Sequence, residues 1–187
     1  LFVVSGPAGV GKGTICDIVA KNNPDVFLSI SATTRPKRAG EKEGMHYYFK
    51  TKEQFEAMIN NNMLLEYNKF VNGYYYGTPA AECDKQMQTG KNIILEIDVE
   101  GGRQVREKRT GTIMIFVVPP SFEELEKRLR GRASETERDL ITRLSRARAE
   151  IEYAKWYDYL IINDKPETAA SKIETIIKAE KLRVFRC

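Results

Sequence analysis

Histidine is almost absent from this chain. His46 is the only one among 187 residues, which nearly excludes a histidine triad or a multi-histidine metal site. Cysteine is scarce too: Cys16, Cys83 and Cys187 are odd in number and far apart. They fit neither a zinc spacing nor a disulfide framework, so reduced thiols in a cytoplasmic protein are expected. No apolar run approaches the ~18 residues of a membrane span, and no charged-then-apolar leader is visible. Internal repeats, low-complexity tracts and linkers rich in Pro, Gly or Ser are also missing. The sequence opens on Leu1-Phe2-Val3-Val4 without an initiator Met, so a short preceding piece is expected. Charge is plentiful but balanced, because 30 basic against 26 acidic residues leave +4. That surplus permits a polyanionic partner without demanding nucleic acid. With 42% hydrophobic residues the chain can bury a core, and its length suits one domain, or one domain carrying an insertion.

Short apolar runs alternate with longer amphipathic stretches. Leu1 to Val4, Val26 to Ile30, Ile93 to Ile97, Ile113 to Val118 and Tyr159 to Ile162 read as strands. The first helix should run through Ile15, Ile18 and Val19 and stop before Asn23-Pro24. Ser121-Phe122-Glu123-Glu124 and Thr51-Lys52-Glu53-Gln54 both have the form of a capping box. Pro166 suits the first turn of a last helix that carries Ile173, Ile176 and Ile177 on one face. Apolar strands separated by helices predict a parallel sheet covered on both faces. From Ser31 to Gly77 the rhythm breaks into polar, aromatic, turn-rich sequence with one short helix near Thr51 to Asn60. An excursion of ~45 residues exceeds an ordinary connection and predicts a small subdomain folding over a ligand site.

Gly6-Pro7-Ala8-Gly9-Val10-Gly11-Lys12 matches the first seven positions of G-x-x-x-x-G-K-[ST], after a strand and at the opening of a helix. Glycines let backbone N–H groups converge on phosphate oxygens, and the helix N-terminus adds partial positive charge. Lys12 can bridge the β- and γ-phosphates. At the eighth position Gly13 replaces the usual Ser or Thr, and Thr14 follows as an alternative hydroxyl for magnesium. Ile93-Ile94-Leu95-Glu96-Ile97-Asp98 is an apolar strand ending in a carboxylate, placing Asp98 beside a magnesium–nucleotide complex or at a helix cap. Arg35 and Arg38 flank a proline-stiffened turn at a spacing that can clamp one phosphate, and Tyr47 and Tyr76 offer phenolic donors. A solvated basic loop is the competing reading.

Thr33-Thr34-Arg35-Pro36-Lys37-Arg38-Ala39-Gly40-Glu41, Gly44-Met45-His46-Tyr47-Tyr48-Phe49, Tyr75-Tyr76-Gly77-Thr78 and Leu95-Glu96-Ile97-Asp98 follow the phosphate loop in a fixed order. In that order the chain resembles the guanylate kinases, bacterial type, from end to end. The resemblance implies a phosphate-loop three-layer α/β/α fold with a five-stranded parallel core, a GMP-binding α+β insertion and an arginine-rich lid. The implied parts are a core at 1–30, 78–130 and 149–187, an insertion at 31–77 and a lid at 131–148. Arg35, Arg38, Tyr47 and Tyr76 would then hold the GMP phosphate. Glu66 would accept from guanine N1–H and the exocyclic amine, with Asp98 as a second acceptor. Ser31 and Thr78 would read the carbonyl edge, and Glu96 joins this set. Arg128, Arg132 and Arg143 would clamp ATP phosphates, and Asn163 would touch the nucleoside or cap a helix. The implied reaction is ATP + GMP to ADP + GDP with magnesium, and dGMP as a further acceptor.

The helix that would bury Leu140, Leu144, Ala147 and Ile151 places Arg143 and Arg146 on a flank able to face the site. Arg130, Arg138 and Glu150 read instead as a solvated ion-pair surface. Trp156 and its tyrosine neighbours read as core and surface packing, His46 as structural, and Cys16 as a small buried residue. Three rivals remain at this level: a phosphate-loop kinase for another acceptor, a guanylate-kinase-like binding module without activity, and a nucleic-acid-binding domain. The intact Gly6, Gly11 and Lys12 oppose the second.

Overall fold

The computed structural model describes residues 1–70, 73–130 and 137–184, and for residues 138 and 139 the backbone alone. The elements are β1 (Phe2–Ser5), α1 (Lys12–Asn22), β2 (Val26–Leu28), β3 (Ala32–Thr33), β4 (Tyr48–Phe49), α2 (Lys52–Asn60), β5 (Leu64–Lys69) and β6 (Tyr75–Pro79). There follow α3 (Ala80–Gln88), β7 (Asn92–Glu96), α4 (Val99–Lys108), β8 (Ile113–Val118), α5 (Phe122–Arg130) and α6 (Glu137–Ile151). A 3₁₀ turn (Glu152–Trp156), β9 (Tyr159–Ile162) and α7 (Pro166–Glu180) complete the described chain.

Five strands form a parallel sheet in the order β2-β7-β1-β8-β9, as the apolar runs predict. Alternation along each strand serves two cores at once. Phe2, Val4, Ile94, Ile115 and Val117 face α1 and α7, where Ile15, Val19, Ile173 and Ile177 cover them. Val3, Ile93, Leu95 and Met114 face the opposite way, against Cys83 of α3 and Val105 of α4. Burying each such Val, Leu or Ile contributes about 1.5–3 kcal/mol, so the sheet is a rigid frame. Cys16 is fully buried on α1 as a small apolar residue.

Residues 31–77 hold more regular structure than their composition suggests. A second sheet, β4-β3-β6-β5, lies there under α2, with Phe55 stacked on Tyr75 at 5.2 Å. Two-residue strands leave no periodicity to read, which is why sequence reasoning placed only α2. The predicted cap of α2 is complete: Gln54 N–H donates to Thr51 Oγ1, and Thr51 N–H donates to Gln54 Oε1.

Three expectations need correction, and two helices were not anticipated. β2 ends at Leu28 rather than Ile30, although Ser29 N–H still donates to the Ile94 carbonyl at 2.9 Å. At Ser121 only half of the capping box forms, since Glu124 N–H reaches Ser121 Oγ while its carboxylate takes Arg128 Nε. Trp156 is 65% exposed at the end of the 3₁₀ turn and packs no core. α3 and α4 were not placed from sequence, because neither opens with the Ser/Thr capping signature.

The carboxyl ends of the parallel strands gather the loop after β1, Glu96 at the end of β7, Asp98 just beyond it, and Asn163 after β9. Open α/β sheets bind ligands at that edge.

Candidate functional site

The loop between β1 and α1 depends on glycines with positive φ, two of them pressed against neighbouring strands or their ends. Gly6 has φ +149°, and a Cβ there would stand 2.1 Å from the Val117 carbonyl oxygen of β8. Gly11 caps α1 at φ +92°, where a Cβ would stand 2.7 Å from Asn163 Nδ2. Asn163 is buried and donates from Nδ2 to the Val10 carbonyl at 2.7 Å, tying β9 to the loop. Its Oδ1 is buried without a partner among the described residues. Lys12 Nζ donates to the carbonyls of Gly6 (2.7 Å) and Pro7 (3.2 Å). Burial pulls the Lys12 pKa down, while Glu96, Glu150 and Asp98 oppose that by favouring the ammonium.

Beside the loop lies a cavity of about 430 Å³ whose walls include Ser31, Tyr47, Glu66, Tyr76, Glu96 and Asp98. Glu66 reaches it through an irregularity in the β5–β6 pairing between Leu64 and Glu66. That break in alternation lets Leu65 join the α3/α4 core while Glu66 turns toward Asp98. Glu66 is 4% exposed, and burial pushes its carboxyl pKa up to about 7, with the Thr78 hydrogen bond working against the rise. Thr78 is wholly buried and donates to Glu66 Oε1 at 2.7 Å. Asp98 caps a helix, one of the two readings the sequence left open, and it also lines the cavity. Its Oδ1 accepts from Gly101 N–H at 2.8 Å to cap α4, and its Oδ2 accepts from Asn68 Nδ2 at 2.9 Å on the cavity wall. A Cβ at Gly101 would stand 2.6 Å from Glu66 Oε2, so any larger residue there would displace the Glu66 carboxylate.

Arg35 is buried on the same side. Its Nη1 and Nη2 donate to Glu41 Oε2 (2.8 Å) and Oε1 (2.5 Å), and its guanidinium lies 4.9 Å from the Tyr47 ring centre. The bidentate pair drives Glu41 down to about 2 and raises Arg35 above its ordinary value. Arg38 gives its backbone N–H to Glu41 and carries its side chain in solvent.

A second cavity of about 280 Å³ is walled by Gly6, Lys12, Asp98, Arg143, Arg146 and Glu150. It adjoins the first, because Ala8, Lys12, Phe70 and Asp98 line both. Arg143 thus stands with the phosphate loop, as its helix flank predicts. Arg128 lines neither cavity: Nε donates to Glu124 and Nη2 donates to the Asn163 carbonyl at 3.2 Å, fastening α5 to the end of β9. Thr14 is exposed and lines neither cavity, whereas a Cβ on Gly13 would lie 3.4 Å from Glu96 Oε2. Glu96 opens onto the cleft, yet the protein crowding it raises its carboxyl pKa against the pull of Lys12. Arg132, the 131–136 part of the lid, the Arg138 side chain and Cys187 lie outside the described residues.

Sequence reasoning missed Glu41, Asn68, Phe70 and Gly101, and assigned Glu150 to solvent. Glu150 does pair with Arg146 at i, i+4, but its side chain is only 13% exposed and closes the smaller cavity. His46 takes a structural part, its Nδ1 accepting from Lys42 N–H at 3.0 Å. The larger cavity of about 660 Å³ lies at the opposite edge of the sheet, around Phe2, Asn92, Ile113 and Glu180. It has no phosphate loop, so size does not choose the site and chemistry does.

The sequence profile of the guanylate kinase family matches residues 1–180. The guanylate kinase of Clostridium perfringens strain 13 is 49% identical over 186 residues, covering 100% of this chain and 86% of the relative. The guanylate kinase of Carboxydothermus hydrogenoformans is also 49% identical, covering 100% of this chain and 91% of its own. The crystal structure of guanylate kinase from Anaplasma phagocytophilum superposes with a TM-score of 0.81 at 31% identity, over 98% of this chain and 87% of that one.

Proposed function

The chain belongs to the guanylate kinase family, and on that premise we propose how its cleft carries out the ATP-dependent phosphorylation of GMP to GDP. The observation that carries the assignment of roles is the shared wall. One cavity holds the phosphate loop and Arg143, the other holds Glu66, and Lys12 and Asp98 belong to both.

Guanine presents two adjacent donors, N1–H and the exocyclic amine, and Glu66 and Asp98 supply acceptors for them. Adenine lacks that donor pair and would leave the second oxygen of the buried Glu66 carboxylate, the one Thr78 does not reach, without a donor, which is costly. Ser31 reads the carbonyl edge; Thr78, expected there too, is wholly buried and instead holds Glu66 in place from behind. Arg35, Arg38, Tyr47 and Tyr76 take the GMP phosphate, with Glu41 orienting the Arg35 fork. An oxygen of that phosphate attacks the γ-phosphorus of ATP. A new P–O bond forms, the bond to the β,γ-bridging oxygen breaks, and its electron pair leaves with ADP. The second phosphate ionisation lies near pH 6, so the acceptor is already an oxyanion and needs no strong base. Catalysis is positioning and charge stabilisation by Lys12 and Arg143, with Arg132 as the further expected cation, together with exclusion of water. Arg128, bonded to Glu124 and the Asn163 carbonyl outside both cavities, braces α5 against β9.

Magnesium brought in with ATP would supply charge neutralisation at the donor. The Glu96 carboxylate, a hard oxygen donor beside Gly13 and Lys12, would fit such an ion, whereas the Thr14 hydroxyl expected from the sequence is exposed and lines neither cavity. dGMP is a second acceptor, since the groups assigned here address base and phosphate. Residues 31–77 act as the acceptor-binding insertion, 131–148 as the lid, and the remainder as the core. No helix among the described residues is long and apolar enough to cross a membrane.

Release of ADP measured across GMP, dGMP, AMP, CMP and UMP tests the reading. Rapid turnover with the guanine nucleotides alone is expected, and equal turnover of AMP would overturn the role of Glu66.

A further inference from the structure

Arg146 and Phe70 meet across the mouth of the two cavities, one from α6 and one from the insertion. The Arg146 guanidinium carbon lies 5.5 Å from the centre of the Phe70 ring. Its Nε donates to Glu150 Oε1 at 2.7 Å, and Nη2 stands 3.8 Å from Asp98 Oδ2. Phe70 in turn sits edge-to-face with Tyr76 at 5.1 Å, and Tyr76 with Tyr47 at 5.9 Å. Arg35 covers the far ring at 4.9 Å. Three aromatic rings therefore run in contact along the acceptor cavity, with an arginine at each end. Among the described residues, Phe70 is the one that the insertion contributes to both cavities.

We propose that Arg146 is a positioning residue for the acceptor: its guanidinium over Phe70 fixes the row of rings that carries Tyr76, Tyr47 and Arg35. Edge-to-face pairs have preferred geometry, so the orientation of the first ring constrains the next two. Glu150 holds the guanidinium from one side and Asp98 attracts it from the other, leaving its face for the ring. Arg146 thereby links the helix bearing Arg143 to the phosphate-holding groups of the insertion without touching the acceptor. This role rests on reading the cleft as the GMP site.

The test is GMP binding by calorimetry without ATP, followed by steady-state kinetics, on Arg146→Ala, Arg146→Lys, Phe70→Leu and the Arg146→Ala/Phe70→Leu double variant. Arg146 is about half exposed, so these changes do not endanger folding. A cation over a ring at such exposure converts to about a two- to fivefold effect. Each single loss should weaken GMP binding by that factor and leave the KM for ATP unchanged. The double variant should be no weaker than the worse single one, because both delete one contact. Arg146→Lys, which keeps the cation, should recover most of the affinity. Arg103→Ala removes an arginine whose ion pairs to Glu100 and Glu107 lie away from the cleft, and it should match the wild type. Additive losses, unchanged GMP affinity, or an effect confined to ATP would each overturn the proposal. If the wild type turns over GMP while Arg146→Ala is silent, only this inference fails. If the wild type shows no GMP turnover, the site reading fails with it.

Discussion

Glu66 should make guanine recognition titrate in the physiological range. Its carboxyl is 4% exposed and raised to about 7 by burial, and only the ionised form can accept from both guanine donors. With that value, about one site in eleven is ionised at pH 6 and about ten in eleven at pH 8. Binding of a guanine ligand should therefore tighten about tenfold over those two units. GMP itself is a compromised probe, because its phosphate also ionises near pH 6. Guanosine, which has no phosphate, isolates the carboxylate, and calorimetric titration at pH 6, 7 and 8 supplies the measurement. Glu66→Gln should bind guanosine weakly and with no pH dependence across the same range.

The same residue makes a second, independent statement through stability. A folded-state pKa raised to about 7 from an ordinary 4.5 means that the protonated carboxyl favours folding. That contribution is complete below about pH 4.5 and is lost as pH rises through 7. Two and a half pK units correspond to about 3 kcal/mol as an upper figure, so at pH 8 the ionised Glu66 strains the fold it serves. Glu66→Gln should raise the Tm at pH 8 by several degrees, with the gain shrinking toward pH 5. Flat guanosine affinity in the wild type, or a Glu66→Gln variant no more stable at pH 8, would refute the reasoning.

Lys12→Ala should lower kcat by at least about a hundredfold while calorimetric GMP affinity stays within about threefold, and an unchanged kcat would remove Lys12 from the chemistry. Gly101→Ala places a methyl where Glu66 Oε2 stands, 2.6 Å from the ideal Cβ, so GMP KM should rise about tenfold or more and discrimination against AMP should fall. Retained discrimination in that variant would show that Glu66 can be moved without consequence. Asn163→Ala strips the Val10 carbonyl of its buried donor at a cost of about 1–3 kcal/mol, so Tm should drop and the KM for ATP should rise more than that for GMP.

The parallel sheet was legible because its strands are buried on both faces, and such strands spell short continuous runs rich in Val and Ile between turn signals and helices. Gly6, Gly11 and Lys12 were legible for a related reason, since the loop's spacing is imposed by backbone geometry at a single turn. The insertion was legible as an excursion with one helix, but its strands were not. β3 and β4 are two residues each, and β5 breaks its alternation at the point where Glu66 turns inward. A carboxylate after two leucines reads equally well as a surface residue, and only the neighbouring Thr78, Gly101 and Asp98 make it a buried acceptor. Glu150 failed in the opposite direction. An Arg and a Glu four apart on a helix satisfy the rule for solvated pairs whether or not a cavity lies beneath them.

Net charge proves to be a poor guide to how this cleft treats a polyanion. Lys12, Arg143 and Arg146 line the two cavities, but so do Glu66, Glu96, Asp98 and Glu150. Cations alone would attract any phosphate-bearing ligand and discriminate among none. Each acid instead limits what a cation nearby can do. Glu150 holds Arg146 to one orientation, and Glu41 holds the Arg35 fork beside Tyr47 in the same way. Glu66 and Asp98 accept only a ligand that brings donors to them. Glu96 and Asp98 offset the burial cost of the Lys12 ammonium, which keeps its charge available at the loop. The carboxylates thus weaken non-specific attraction and fix the geometry of the cations that remain. Neutralising Glu150 or Glu41 should accordingly loosen selectivity before it improves affinity for phosphate, the reverse of what a count of charges would suggest.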